Sequence, residues 1–167
     1  MMRNPRSLIA DSRASAATEM ALLAPFLVLL MLGSVDLGNY LLSEHAVQKG
    51  VRDAARYASR LPITEYPACV PSSPAETQIQ KVARTGEPDG TTARLVGWTD
   101  DTMTNVTVVC SPVGTYTGIY SVYPFPDGVP VITVSAAVPY ESLFGVIGLG
   151  SVSLTLNAES QSAVFGE

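Results

Sequence analysis

The fold of this 167-residue chain is decided by residues 13–35, which read RASAATEMALLAPFLVLLMLGSV. One basic residue, Arg13, is followed by small residues, a single acid, Glu19, and then an uncharged apolar run over 20–35. A charged carboxylate without a partner costs about 2.5–3.5 kcal/mol at the middle of a bilayer, and less near an end of the helix. An acidic residue directly before such an apolar run therefore indicates that its carboxylate pairs with a positive charge for a functional reason.

The apolar run reaches membrane-spanning length only when its flanks are included. Residues 20–35 give about 24 Å of helix, whereas the hydrocarbon core is about 30 Å thick. Adding 16–18 and the apolar residues up to Leu42 predicts a transmembrane segment over about 16–42. Residues 1–13 hold three arginines against Asp11 alone, so the positive-inside rule predicts a cytoplasmic N-terminus and an exported remainder.

A junction of small residues lies just before the acid. Cleavage between Ala14 and Ser15 would create an α-amine that Glu19, its own or a neighbour's, could neutralise. Two alternatives remain open: an ordinary secretory signal and a plain signal anchor. The secretory signal is disfavoured because the helical pattern continues unbroken into the polar region that follows.

This arrangement resembles the type IV pilin class, whose members have a basic leader, a prepilin peptidase site and a glutamate at mature position five. It is most similar to the TadE-like pseudopilins of the tight-adherence (Tad, or Flp-type) pilus system over roughly residues 13–60. The matching positions are Glu19, Ala21, Leu22, Pro25, Asp36-Leu37-Gly38 and Asp53-Ala54-Ala55-Arg56. Two positions depart from the pattern: Ala14 replaces a glycine, and Met20 replaces an aromatic residue.

The resemblance implies a structural minor pilin or pseudopilin, processed at Ala14 and Ser15 and docked to other subunits through Glu19. The implied partners are a prepilin peptidase, a major pilin and other pseudopilins, an inner-membrane assembly platform and the membrane itself. The implied location is a single pass of the inner membrane with the C-terminal domain in the periplasm, and, on assembly, the extracellular pilus.

The rest of the chain predicts an α+β protein, with the long helix packed on a small antiparallel β domain. Residues 1–14 are a basic leader, 15–61 one long helix, and 62–167 the exported domain. The helix carries an apolar stripe made of Tyr40, Val47, Val51, Ala54, Ala58 and Leu61. The other predicted elements are a second helix over 74–85 capped by Ser73, strands at 93–98, 105–110, 131–138 and 152–158, an irregular loop over 112–130, and a short docked helix or buried turn within 141–150.

Two cysteines, Cys69 and Cys110, both follow the membrane segment. In an oxidising compartment an even pair most simply forms one disulfide, so the exported topology predicts that bond. Two buried free thiols are the alternative.

Several function classes find no support in the sequence. The net charge is −5, and the exported part has no Lys/Arg cluster for nucleic acid. We identify no catalytic constellation, metal site or cofactor motif: His45 is the sole histidine, and Asp100-Asp101 lacks the regular oxygen ligands of a calcium loop. The main rival function is a single-pass, membrane-anchored periplasmic binding module, and a tethered periplasmic enzyme is a weaker one.

Overall fold

A computed structural model describes residues 12–111, 128–146, 148 and 154–166. The chain divides into two compact units, Met1–Asn39 and Tyr40–Glu167. The boundary falls inside helix α1 (Ser12–Arg60), which contributes to both units and continues through Pro25. The predicted long helix is therefore present, and its helical backbone begins inside the residues assigned to the leader.

In the second unit, α1 buries the predicted apolar stripe. Val47, Val51, Ala54 and Ala58 are at most 1% exposed, and Tyr40 and Leu61 pack partly buried against them. Ala55 is also buried, which widens the stripe beyond its predicted members. Toward the C-terminal end of α1 this face consists mainly of the small side chains of Ala54, Ala55 and Ala58, so neighbouring elements can approach the α1 backbone closely.

Helix α2 (Ser73–Thr85) follows two 3-10 turns, Ile63–Glu65 and Pro67–Cys69. Its N-cap is Ser72, whose Oγ accepts a hydrogen bond from the Ala75 amide, so the prediction of Ser73 as the cap was wrong by one residue. The helix ends at Gly86, which adopts φ +97°, and its amide donates to the Val82 carbonyl. Glycine takes this left-handed conformation without the penalty that a Cβ would bring.

Within the described residues, the sheet has three antiparallel strands in the order β1 (Thr104–Cys110), β2 (Pro130–Tyr140) and β3 (Leu154–Ala163). The register places Val106 opposite Val134, and Ala136 opposite Ala158. Buried residues alternate along β2 and meet the two helices in a single core. Three of the four predicted strands, and with them the α+β class, are confirmed.

The strand predicted at 93–98 was wrong. This segment forms turns in which the Arg94 amide donates to the Arg84 carbonyl and the Trp98 amide donates to Leu95. Trp98 is fully buried, and Ala93 and Leu95 are partly buried against the core. The apolar residues of this loop are spaced like those of a strand, but among the described residues the loop pairs with no strand.

A short helix α3 (Leu143–Val146) follows β2, as expected within 141–150, although 147, 149 and 150 lie outside the described residues. Of the loop predicted over 112–130, residues 112–127 also lie outside them.

Candidate functional site

The predicted processing junction lies at the start of α1. The helix begins at Ser12, so the Ala14–Ser15 peptide bond belongs to its first turn, and the side chains of 12–15 lie outside the described residues.

Glu19 lies on the exposed surface of α1, one turn beyond Ser15. It is followed by large apolar side chains that are also exposed, including Leu22 at 71%, Phe26 at 66% and Leu30 at 71%. Exposure of this extent means that the segment contributes nothing to a core of its own unit. Its apolar surface requires another apolar environment, such as lipid or other helices.

Among the described residues, α1 is the one helix long and apolar enough to cross a membrane. This property is consistent with a single-pass membrane anchor near the N-terminus. Pro25 lies inside the apolar run, where its missing amide removes one helical hydrogen bond.

The Asp53–Arg56 segment of α1 has a structural role that its sequence did not reveal. The Asp53 carboxylate accepts a hydrogen bond from Arg94 Nη2 at 2.8 Å, while Ala54 and Ala55 are buried in the core. Arg94 comes 41 residues later in the chain, in the segment that was predicted to be a strand. Sequence alone carries no signal for this pair, because the loop that presents Arg94 is held by backbone contacts to α2.

Cys69 and Cys110 are joined in a disulfide with a Cα–Cα distance of 5.8 Å. The bond connects the second 3-10 turn to the last residue of β1. Ala68 and Cys69 adopt positive φ angles of 52° and 62°, which are uncommon for residues other than glycine. The disulfide therefore fixes a turn that local backbone preference does not favour.

The Asp100-Asp101 pair is engaged in structural contacts. Asp100 caps the 3-10 turn Asp101–Met103 by accepting from the Thr102 amide at 2.8 Å, and this hydrogen bond lowers the pKa of Asp100. Asp101 accepts from Arg84 Nε at 2.6 Å, which ties the turn to α2. His45 is exposed on α1, and the described residues contain no group of three or more metal-ligating side chains.

The open face of the sheet carries a groove of about 550 Å³. Its described lining includes Asn105, Ser135, Asn157 and Glu159, of which only Glu159 is an acidic residue. A single carboxylate among amides and hydroxyls provides no general acid–base pair and no activated nucleophile. We therefore take the N-terminal segment, with Glu19 and the exposed apolar run, as the candidate functional site.

The family model described as TadE-like protein matches residues 14–56. The matched segment begins at the predicted junction, contains Glu19 and the apolar run, and ends with Asp53-Ala54-Ala55-Arg56. The resemblance of this segment to TadE-like proteins is thereby confirmed. No curated protein and no solved structure matches the chain.

Proposed function

We propose that the chain is a non-enzymatic minor pilin or pseudopilin that takes part in assembly of a tight-adherence pilus. The observation that carries this proposal is the family match, which starts at Ala14 and spans Glu19 together with the whole apolar run. The exposed apolar surface of α1 supports it further, because a filament core built from such helices would bury that surface.

In this proposal a prepilin peptidase cuts between Ala14 and Ser15 on the cytoplasmic side of the inner membrane. The new α-amine and the Glu19 carboxylate of the same or a neighbouring subunit then pair in lipid. Separating two opposite charges in a low-dielectric medium is costly, so the pairing selects one axial register between subunits.

The partners of this role are the prepilin peptidase, the major pilin, other pseudopilins and the inner-membrane assembly platform. The globular unit lies in the periplasm, where an oxidising environment maintains the Cys69–Cys110 disulfide.

Mass spectrometry of the N-terminus of the protein from pilus-producing cells tests the proposal. A mature chain starting at Ser15 is the expected result, and it should be absent from a strain that lacks the peptidase. An intact Met1 in piliated cells would contradict processing and favour a membrane-anchored binding module instead.

A further inference from the structure

The two outer strands of the sheet differ in how their free edges are covered. The edge of β1 lies against helix α2, where Gln80 Nε2 donates to the Thr104 carbonyl at 3.1 Å, and Cys110 at its end is tied to the Pro67–Cys69 turn by the disulfide. Among the described residues, no further strand pairs with the free edge of β3. This edge is therefore the place where another strand can extend the described sheet.

The hydrogen-bonding register shows which backbone groups of β3 face this edge. The Val164 amide donates to the Pro130 carbonyl, so the alternation of an antiparallel ladder directs the even-numbered residues of β3 toward β2. The amides and carbonyls of the odd-numbered residues point to the free edge, and these residues are Thr155, Asn157, Glu159, Gln161 and Ala163. Of these edge groups, only the Thr155 carbonyl has a hydrogen bond within the described part of the chain, from Asn157 Nδ2 at 3.3 Å.

The edge of β3 lacks the features by which proteins usually prevent edge-to-edge pairing. Such features include proline, lysine and β-bulges on the edge strand. Residues 154–163 contain no proline and no lysine, and their register against β2 runs from Leu154 to Ala163 without a bulge. A long and regular edge of this kind is a template for pairing with another strand.

The charge pattern of β3 favours a second copy of the same strand in antiparallel orientation. Parallel in-register pairing, or an antiparallel register centred on Glu159, would place two carboxylates directly opposite each other, which is unfavourable. A register centred on Ala158 instead places each Glu159 opposite Asn157 of the other copy, and the second amide proton of Asn157 is available to the carboxylate. This register pairs residues 154–162, which is more of the strand than a register centred on Asn157 or on Ser160 would pair.

We propose that two copies of the chain pair edge to edge through β3, so that their sheets join across a two-fold axis at Ala158. Beside the axis, the backbone amide and carbonyl of Asn157 in one copy bond those of Glu159 in the other, and Thr155 lies opposite Gln161. The contact involves only the globular unit, and it depends on neither processing nor pilus assembly.

Cysteine cross-linking of the full chain in detergent micelles, with the native disulfide in place, tests the register. The two Ala158 residues would form a pair without mutual hydrogen bonds, in which the Cα atoms lie about 4.5 Å apart, within the range that a disulfide spans. Ala158→Cys should therefore cross-link to itself under mild oxidation at least about tenfold faster than the control Thr107→Cys, because Thr107 is exposed on β1 and not on the proposed contact. Equal, slow cross-linking at both positions would overturn the proposal, and faster cross-linking at Ser160→Cys would overturn the register.

A proline variant separates pairing through β3 from other contacts between copies. The Asn157 amide points to the free edge, so Asn157→Pro removes an edge donor without removing a hydrogen bond between β2 and β3. The unfolding midpoint should change little, whereas cross-linking of Ala158→Cys should fall to the rate of Thr107→Cys. Asn157→Ser retains the amide and is the matched control, and unchanged cross-linking in the proline variant would contradict edge pairing.

Hydrogen exchange of the unsubstituted chain provides a measurement that does not depend on any variant folding. The edge amides of Asn157 and Glu159 should exchange several-fold more slowly as the protein concentration rises and the dimer forms. Rapid exchange at every concentration would contradict pairing at this edge. Protection that is already complete in the monomer would show that another segment of the same chain covers the edge, and would also overturn the proposal.

Discussion

Gly50 of α1 lies next to the six-membered ring of the Trp98 indole, close to its Cη2 and Cζ3 atoms. A Cβ added at Gly50 would lie 3.1 Å from Trp98 Cη2 and would collide with the Ala83 carbonyl oxygen of α2. Both helices and the 93–98 turn segment thus meet at one position where no side chain fits. The backbone of α2 and the side chain of Trp98 therefore limit the size of residue 50.

Gly50→Ala should destabilise the globular unit by roughly 1–2 kcal/mol. Overpacking costs about 1–3 kcal/mol, which exceeds the gain of up to about 1 kcal/mol in helix propensity. Denaturant unfolding followed through Trp98, the single tryptophan, measures the change. Gly38→Ala on the same helix is the control, since a Cβ there meets nothing within 4 Å, and equal stability of the two variants would contradict the packing at Gly50.

Replacing both Cys69 and Cys110 with serine should lower the free energy of unfolding by about 4 kcal/mol, the chain-entropy value for a loop closed over 41 residues. Peptide mapping without reductant should recover the two cysteines joined. Reductant should lower the unfolding midpoint of the native protein and leave that of the double variant unchanged. Free thiols in protein taken from the periplasm would rule the bond out in the cell.

Tyr66 should make stability fall at high pH. Its hydroxyl donates to the Ala58 carbonyl at 2.6 Å, and burial, followed by the charge of Glu65, raises its pKa above the ordinary value of 10.0. Above pH 10 the unfolded chain loses this proton while the folded chain retains it, so the stability that the phenol contributes is complete below pH 10 and declines above it.

Tyr66→Phe tests this linkage. The variant should be less stable by about 0.5–1.5 kcal/mol at neutral pH, because the buried Ala58 carbonyl loses a donor. The gap between the two proteins should narrow as pH rises above 10 in unfolding measurements. A gap that stays constant with pH would contradict the raised pKa.

Ala14→Leu should leave an unprocessed precursor in the membrane, because a bulky residue replaces the small one before the proposed cut. Intact-mass measurement of the purified protein distinguishes precursor from mature chain. Ala17→Leu, in the same helical segment but after the junction, is the matched control and should be processed. Normal pili from the Ala14→Leu strain would place the junction elsewhere.

Glu19→Ala should preserve membrane insertion, since it removes a carboxylate from an apolar helix, and should also preserve processing if the peptidase reads the junction. Piliation and co-purification with other pilin subunits should drop, because the Ser15 α-amine loses its counter-charge in lipid. Glu19→Asp should fall between the two, as its shorter side chain keeps the charge but loses reach. Full piliation of the Glu19→Ala strain would make the acid incidental.

The sequence predicts those parts of the fold in which local pattern and tertiary packing agree. The α1 stripe through Val47 and Val51, helix α2 and the three paired strands all have a periodicity that matches their burial. The N-terminal segment was likewise recognisable, because its chemistry lies in consecutive residues from Ala14 to Pro25.

Features that depend on distant contacts were not predictable. Segment 93–98 has apolar residues at strand-like spacing, yet it pairs with no strand in the described part of the chain, and Trp98 is buried in the core next to Gly50 of α1. The Asp53–Arg94 pair and the contact between Tyr40 and Tyr140 join residues far apart in the chain. No local sequence pattern predicts contacts between residues this far apart in the chain.

The apolar face of helix α1 forms one side of the core, and the ribosome synthesises it well before the sheet that packs against it. Val51 precedes Val134, which is buried in the same core, by 83 positions in the chain. At about 5–20 residues per second, translation leaves the α1 stripe without its sheet for roughly 4–17 s. Throughout that interval the nascent chain presents an apolar helix face that any neighbouring copy could occupy, so the order of synthesis sets a period of vulnerability to misassembly.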